Sequence, residues 1–65
     1  MPRAYFTFPP THPRFWAREA YISAEDGQPG AAAYAMTRYI TEHPEADCKL
    51  VRERIARWMQ EAGLV

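Results

Sequence analysis

The sequence predicts a small α+β domain in which a short N-terminal strand packs with a C-terminal helical hairpin. Three observations lead to this class: an aromatic run at residues 3–8 that two prolines end, and two amphipathic segments at 31–43 and 46–62. A chain of 65 residues has room for one domain, spanning 1–65. Because there is one cysteine and no zinc-ligand spacing, apolar burial has to supply nearly all of the stability.

The strand is predicted over residues 3–8. Its aromatic side chains favour extended backbone, and Pro9 and Pro10 then remove two consecutive backbone donors. Phe6 and Phe8 share one face of such a strand, which is typical of an edge strand with one buried side. The strand therefore needs a pairing partner from this chain or from a second copy.

The segment after the prolines allows two interpretations. Proline in the first turn favours a short helix over residues 13–21. The alternative is a second strand over 17–23 that forms a hairpin with the first, because Ala-Tyr-Ile-Ser is a weak helix signal. Residues 25–30, Glu-Asp-Gly-Gln-Pro-Gly, collect turn formers and predict a loop.

The C-terminal half predicts two facing helices. In the first, over 31–43, one apolar face carries Ala32, Met36, Tyr39, Ile40 and His43, while Tyr34 lies on the opposite, polar face. The second begins near residue 46 or 47 and ends at 62, where Gly63 suits the left-handed conformation. Its apolar stripe is Val51, Ile55, Trp58, Met59 and Ala62.

The core is predicted where these two stripes meet. The link at residues 43–45 is short, so the helices have to form an antiparallel or steeply crossed hairpin. Trp58 is the largest side chain on either stripe. We expect it at the centre of the core, in contact with Met36, Ile40 and Ile55.

Composition favours a partner protein over nucleic acid or a membrane. Eight basic residues balance eight acidic ones, and non-specific nucleic-acid binding draws on an excess of Lys and Arg. The sequence shows no signal-peptide run and no 18 consecutive apolar residues, so we expect a cytoplasmic protein. Hydrophobic residues make up 48% and aromatics 14%, more than so small an interior can hide. We expect the remaining apolar surface to be covered by another protein or by a second copy in a homodimer.

Catalytic and cofactor signatures are weak. Cys48 follows His43 by five residues, but the sequence has no local pattern for an orienting third group or an oxyanion pocket. We therefore expect no catalytic residue, no cofactor and no metal site, and a chain that is not an enzyme. The ordinary interpretation of Cys48 is a small buried residue at a helix start.

One group of candidate partner-binding residues combines aromatic rings and arginines. Trp, Tyr and Arg are enriched at the energetic centres of protein interfaces. Because Phe15 and Trp16 are adjacent, both cannot fully face one core. A purely local alternative is stacking of Tyr34 on Arg38 one turn later. The candidates in this group are Tyr5, Phe15, Trp16, Arg18, Tyr34 and Arg38.

A second group lies on the last helix, where Leu50 projects between Arg54 and Arg57. With Lys49 and Arg52, and with the ending from residue 55 to 65, this helix resembles the recognition helix of a winged-helix domain. The order of a strand and then two helices is also similar to ribbon-helix-helix repressors. Both resemblances imply a DNA-binding regulator, which is the alternative to a protein-binding inhibitor or adaptor.

Overall fold

The computed structural model describes residues 8–64, which form an all-helical fold. Helix α1 spans Phe15–Glu25, α2 spans Pro29–Glu42 and α3 spans Lys49–Glu61, with a 3-10 helix at Pro44–Ala46 between α2 and α3. No strand occurs within these residues. None of their helices has the length and apolar character needed to cross a membrane.

The α+β prediction is therefore wrong. The segment 17–23, one interpretation of which was a second strand, lies inside α1. The strand predicted over 3–8 falls outside the described residues except for Phe8, which lies in no strand and stacks its ring on His12 with centroids 4.0 Å apart. The alternative β-hairpin between residues 3–8 and 17–23 does not form, because residues 17–23 are helical.

Alanine spacing explains why α1 is a helix. Ala20 is fully buried, and Ala24, four residues later, packs against the same core. Residues four apart share one face of a helix, so these methyl groups give α1 a narrow apolar face against α2. Tertiary packing thus decides a segment whose local propensity was ambiguous.

Two glycines end the outer helices in the same way. Gly27 after α1 and Gly63 after α3 have φ of +75° and +73°, which L side chains rarely adopt. After each glycine, the next amide donates to the carbonyl five residues earlier, Gln28 to Ser23 and Leu64 to Met59, both at 2.9 Å. These are Schellman caps. The ending predicted at Gly63 is confirmed.

The first cap also shortens the predicted loop. Helix α1 continues to Glu25 rather than ending near Tyr21, and α2 already begins at Pro29. Proline is favoured in the first turn, where its missing donor costs nothing. Only residues 26–28 therefore connect α1 to α2.

Helix α2 is the central element. It packs extensively against α1 and against α3, whereas α1 and α3 barely touch. A Cβ placed on Gly30 would lie 3.5 Å from the Cβ of Ala62, so the start of α2 lies beside the end of α3. The predicted hairpin is confirmed in its antiparallel form. The molecule is flat, with principal extents of 33 × 27 × 15 Å.

Among the described residues, the buried core contains two large side chains. Trp58 is 8% exposed and shares a buried cluster with Met36, 2% exposed, as predicted. Ile55 packs against this cluster from its edge, whereas Ile40 is half-buried and outside it. The remaining buried residues are Ala20, Ala32, Ala33 and Ala35. The single apolar face predicted for α2 was too narrow, because α2 is covered on two sides.

Candidate interaction surfaces

Four candidate residues come together where α1 crosses the middle of α2, and we call them the Trp16 cluster: Phe15, Trp16, Tyr34 and Arg38. The rings of Trp16 and Tyr34 meet edge to face, with centroids 6.0 Å apart and planes at 82°. The ring of Phe15 meets Trp16 in the same manner at 5.0 Å. The Cζ of Arg38 lies 5.0 Å from the centre of the Trp16 ring.

Arg38 is held on two sides. Its Nη2 donates to Oε2 of Glu42 at 2.9 Å, one turn along α2. The pKa of Arg38 is raised above its ordinary value, first by this bond to Glu42 and then by the hydroxyl of Tyr34. The guanidinium lies over the Trp16 ring and also contacts the hydroxyl of Tyr34, so Arg38 joins both rings rather than making a purely local contact. A cation fixed between an indole face and a carboxylate has little freedom left to lose.

Exposure differs within the Trp16 cluster. Tyr34 is 58% exposed, whereas Phe15 and Trp16 are half-buried and neither belongs to the buried core. This confirms that the adjacent rings do not both face one interior. Arg18 is half-buried further along α1, and Tyr5 lies outside the described residues.

The candidates on α3 line a second surface, the α3 groove, with a volume of about 510 Å³. Its lining residues are Leu50, Glu53, Arg54, Arg57, Trp58 and Glu61. Leu50 is 66% exposed, which confirms that it projects away from the core. The groove therefore places one apolar side chain among charges of both signs, above the edge of the central tryptophan.

Tyr21 borders this groove and was missed as a candidate. It is 43% exposed, and its ring meets Trp58 edge to face at 6.1 Å. The Cζ of Arg54 lies 5.6 Å from the Tyr21 ring centre, and its Nη1 donates to the Tyr21 hydroxyl at 3.4 Å. Tyr21 thus connects α1 to α3. The signal was its position beside Ala20, on the border of the face that packs on α2.

Most basic residues of α3 have partners within the chain. Arg52 makes two hydrogen bonds to Asp47, one of them from Nε to Oδ1 at 2.6 Å. This pairing lowers the pKa of the Asp47 carboxyl and raises that of Arg52. Lys49 lies 3.9 Å from the Glu53 carboxylate, and Arg54 contacts Tyr21. This helix does not present a uniformly basic face to a partner.

His43 contacts two side chains close to it in sequence. The His43 ring lies 5.0 Å from that of Tyr39, and its Nδ1 is 3.4 Å from Oε2 of Glu45. Cys48 is exposed immediately before α3, so its interpretation as a buried residue is wrong. Among residues 8–64, no three His, Cys, Asp or Glu side chains are grouped to hold a metal ion.

The resemblance to DNA-binding folds gains no support from the helix arrangement. A helix-turn-helix crosses its two helices steeply, whereas α2 and α3 are antiparallel, with Gly30 beside Ala62. The strand needed for a ribbon-helix-helix likeness lies outside the described residues apart from Phe8. No protein-family model, curated protein or solved structure matches this chain.

Proposed function

We propose that this chain is a small protein-binding module that inhibits or adapts another protein through the Trp16 cluster. The observation that carries the proposal is Tyr34, 58% exposed and held edge-on against Trp16 beside Arg38. Tryptophan, tyrosine and arginine are the residue types that dominate binding energy at protein interfaces. Here they occur as one contiguous group on two helices.

The setting of the cluster supports tight rather than adaptable binding. Its members lie on α1 and α2, the pair of helices with the most extensive contact in the fold. Side chains that are already fixed lose less conformational entropy when a partner docks. We expect Tyr34 to enter a pocket of the partner, while the half-buried rings of Phe15 and Trp16 form the surrounding apolar contact.

Nucleic acid receives less support as the partner. Formal charge is zero at neutral pH, and on α3 Lys49 and Arg52 each pair with a carboxylate of the same chain. Phosphate binding would have to break these contacts. DNA binding through α3 stays an untested prediction, and its strong salt dependence separates it from aromatic docking.

We place the module in the cytoplasm. Its sequence has one cysteine, Cys48, which can form no disulfide within the chain. Reducing compartments keep such a thiol free, whereas secretory compartments oxidise it. A compartment assignment by fluorescence microscopy of the tagged chain tests this part of the proposal, and an extracellular location would contradict it.

Affinity capture with matched variants tests the function. Immobilised native chain, Tyr34→Ala and Leu50→Ala are each incubated with lysate, and the retained protein is quantified by mass spectrometry. Leu50 is a comparably exposed apolar residue outside the Trp16 cluster, so it serves as the control. We expect Tyr34→Ala to reduce retention of a specific protein about tenfold or more, and Leu50→Ala to change it less than about twofold.

The same capture repeated at high salt distinguishes the two classes of partner. Retention through the Trp16 cluster should change little between low and high salt, because aromatic docking is only weakly screened. Retention of nucleic acid that falls steeply with salt and ignores Tyr34→Ala would refute the proposal in favour of the DNA-binding alternative.

A further inference from the structure

The second surface, the α3 groove, has a charge pattern that is complementary to itself. We propose that this groove binds a second copy of the chain, with the two α3 helices antiparallel about a twofold axis. This self-association goes beyond the function of the Trp16 cluster and does not depend on it, because the cluster lies on α1 and α2.

The charge order along α3 supports this occupant. Leu50, Arg54, Arg57 and Glu61 are four, three and four residues apart, so they form one stripe along the helix. If the axis passes beside Arg57, Arg54 of one copy lies level with Glu61 of the other. Twofold symmetry makes this Arg–Glu pair twice. A parallel arrangement would instead place each arginine next to the same arginine of the other copy.

Exposed apolar residues occur near the two ends of the same helix. Leu50 is 66% exposed in its first turn, and Leu64 is 61% exposed just after its end. The register that pairs Arg54 with Glu61 brings Leu50 of one copy to within about one residue of the level of Leu64 of the other. The register that pairs the charges therefore places the exposed side chain of Leu50 beside the end of the partner's α3, where less of it faces water.

The size of the contact predicts a weak dimer. Helix α3 has 13 residues and is therefore about 20 Å long. One helix of that length covers less than the roughly 800 Å² per partner of a stable interface. The two Arg57 side chains also approach each other near the axis. We expect a dissociation constant on the order of 0.1 to 1 mM.

Charge exchange tests the pairing. In sedimentation equilibrium at low salt, the native chain should dimerise reversibly as its concentration rises to about 1 mM, given that affinity. Arg54→Glu and Glu61→Arg should each remain monomeric alone, because each brings like charges together. Mixed in equal amounts, the two variants should form a heterodimer in which both pairs are opposite in sign. Arg57→Gln should tighten the native dimer by removing repulsion near the axis.

A second measurement needs no charge variant and covers the case in which Arg54→Glu destabilises the fold by losing its contact with Tyr21. Chain that carries a nitroxide on Cys48, which is exposed at the start of α3, is mixed with ¹⁵N-labelled chain that carries no nitroxide. The antiparallel dimer should broaden the amide signals of Gly63 and Leu64 in the ¹⁵N-labelled copy. Broadening at Lys49 and Leu50 instead, or a native chain still monomeric at the highest concentration, would overturn the proposal.

Discussion

Truncation of Trp58 should unfold the protein. This side chain is 8% exposed and, with Met36, supplies the large groups in a buried cluster whose other described members are alanines. A buried tryptophan covers about 150–250 Å², which at about 25 cal/mol/Å² corresponds to roughly 4–6 kcal/mol. Measured truncations of this kind cost about 3–5 kcal/mol. Chains of this size rarely have more than about 3–5 kcal/mol of stability in total.

Far-UV circular dichroism during heating and guanidinium titration provides the assay. Trp58→Ala should lose most of its helical signal at 25 °C, whereas the control Leu50→Ala should remain within about 0.5 kcal/mol of the native chain. In a domain of this size, 1 kcal/mol corresponds to a shift in Tm of about 4–8 °C. A cooperative Trp58→Ala transition within about 5 °C of the native Tm would refute the assignment of the core to this residue.

Three further predictions concern the caps, the charges and the alanine packing. Gly63→Ala should destabilise the fold by about 1–2 kcal/mol because its φ is positive, whereas Gly30→Ala, in a helix with room for a Cβ, should stabilise it by about 0.4–1 kcal/mol in chemical denaturation. Arg52 lowers the pKa of the Asp47 carboxyl, so the stability that Asp47 contributes is present at neutral pH and is lost on acidification. The difference in Tm between the native chain and Asp47→Asn should therefore vanish well below a pH of about 3.9. A Tm difference that stays constant with pH would contradict the pairing. Ala32→Leu should cost about 1–3 kcal/mol by overpacking, while exposed Ala31→Leu should cost less than about 0.5 kcal/mol.

Periodicity predicted the C-terminal half of the fold well. The stripe on α3 and the turn at residues 43–45 predicted an antiparallel or steeply crossed hairpin with Trp58 at its centre, and Gly63 predicted the C-terminal cap. These features depend on residues close together in the chain, so their spacing in the sequence is enough to predict them. The start of α3 was set two or three residues early because Pro44–Ala46 forms a separate 3-10 turn. Helix boundaries of this kind depend on capping geometry that spacing does not determine.

The first half was predicted poorly for a physical reason. Ala20 and Ala24 are equally compatible with a strand or a helix when considered alone, and what decides between them is the alanine-rich surface of α2. That surface was itself missed, because Ala33 and Ala35 do not fit a single helical face. A helix packed on two sides needs two apolar stripes, and small residues give only a weak signal for the second.

The candidate surfaces were predictable by residue type and only partly by position. The adjacency of Phe15 and Trp16 predicted that the two rings could not both fully face one core, and the polar-side position of Tyr34 predicted its exposure. These rings meet Arg38 only because α1 packs across α2. Residue spacing within either helix does not predict that packing. The same holds for Tyr21, whose contacts with Arg54 and Trp58 join helices that are far apart in sequence.

The alanine packing between α1 and α2 has a consequence for how the binding surface can evolve. Methyl groups let two helix backbones approach closely, and that approach sets the distance at which Trp16 faces Tyr34. A larger residue in place of an alanine between α1 and α2 would move the helix axes apart and change the distance between the two rings without altering either of them. Affinity and specificity could therefore drift through substitutions hidden from any partner, while every contact residue stayed the same.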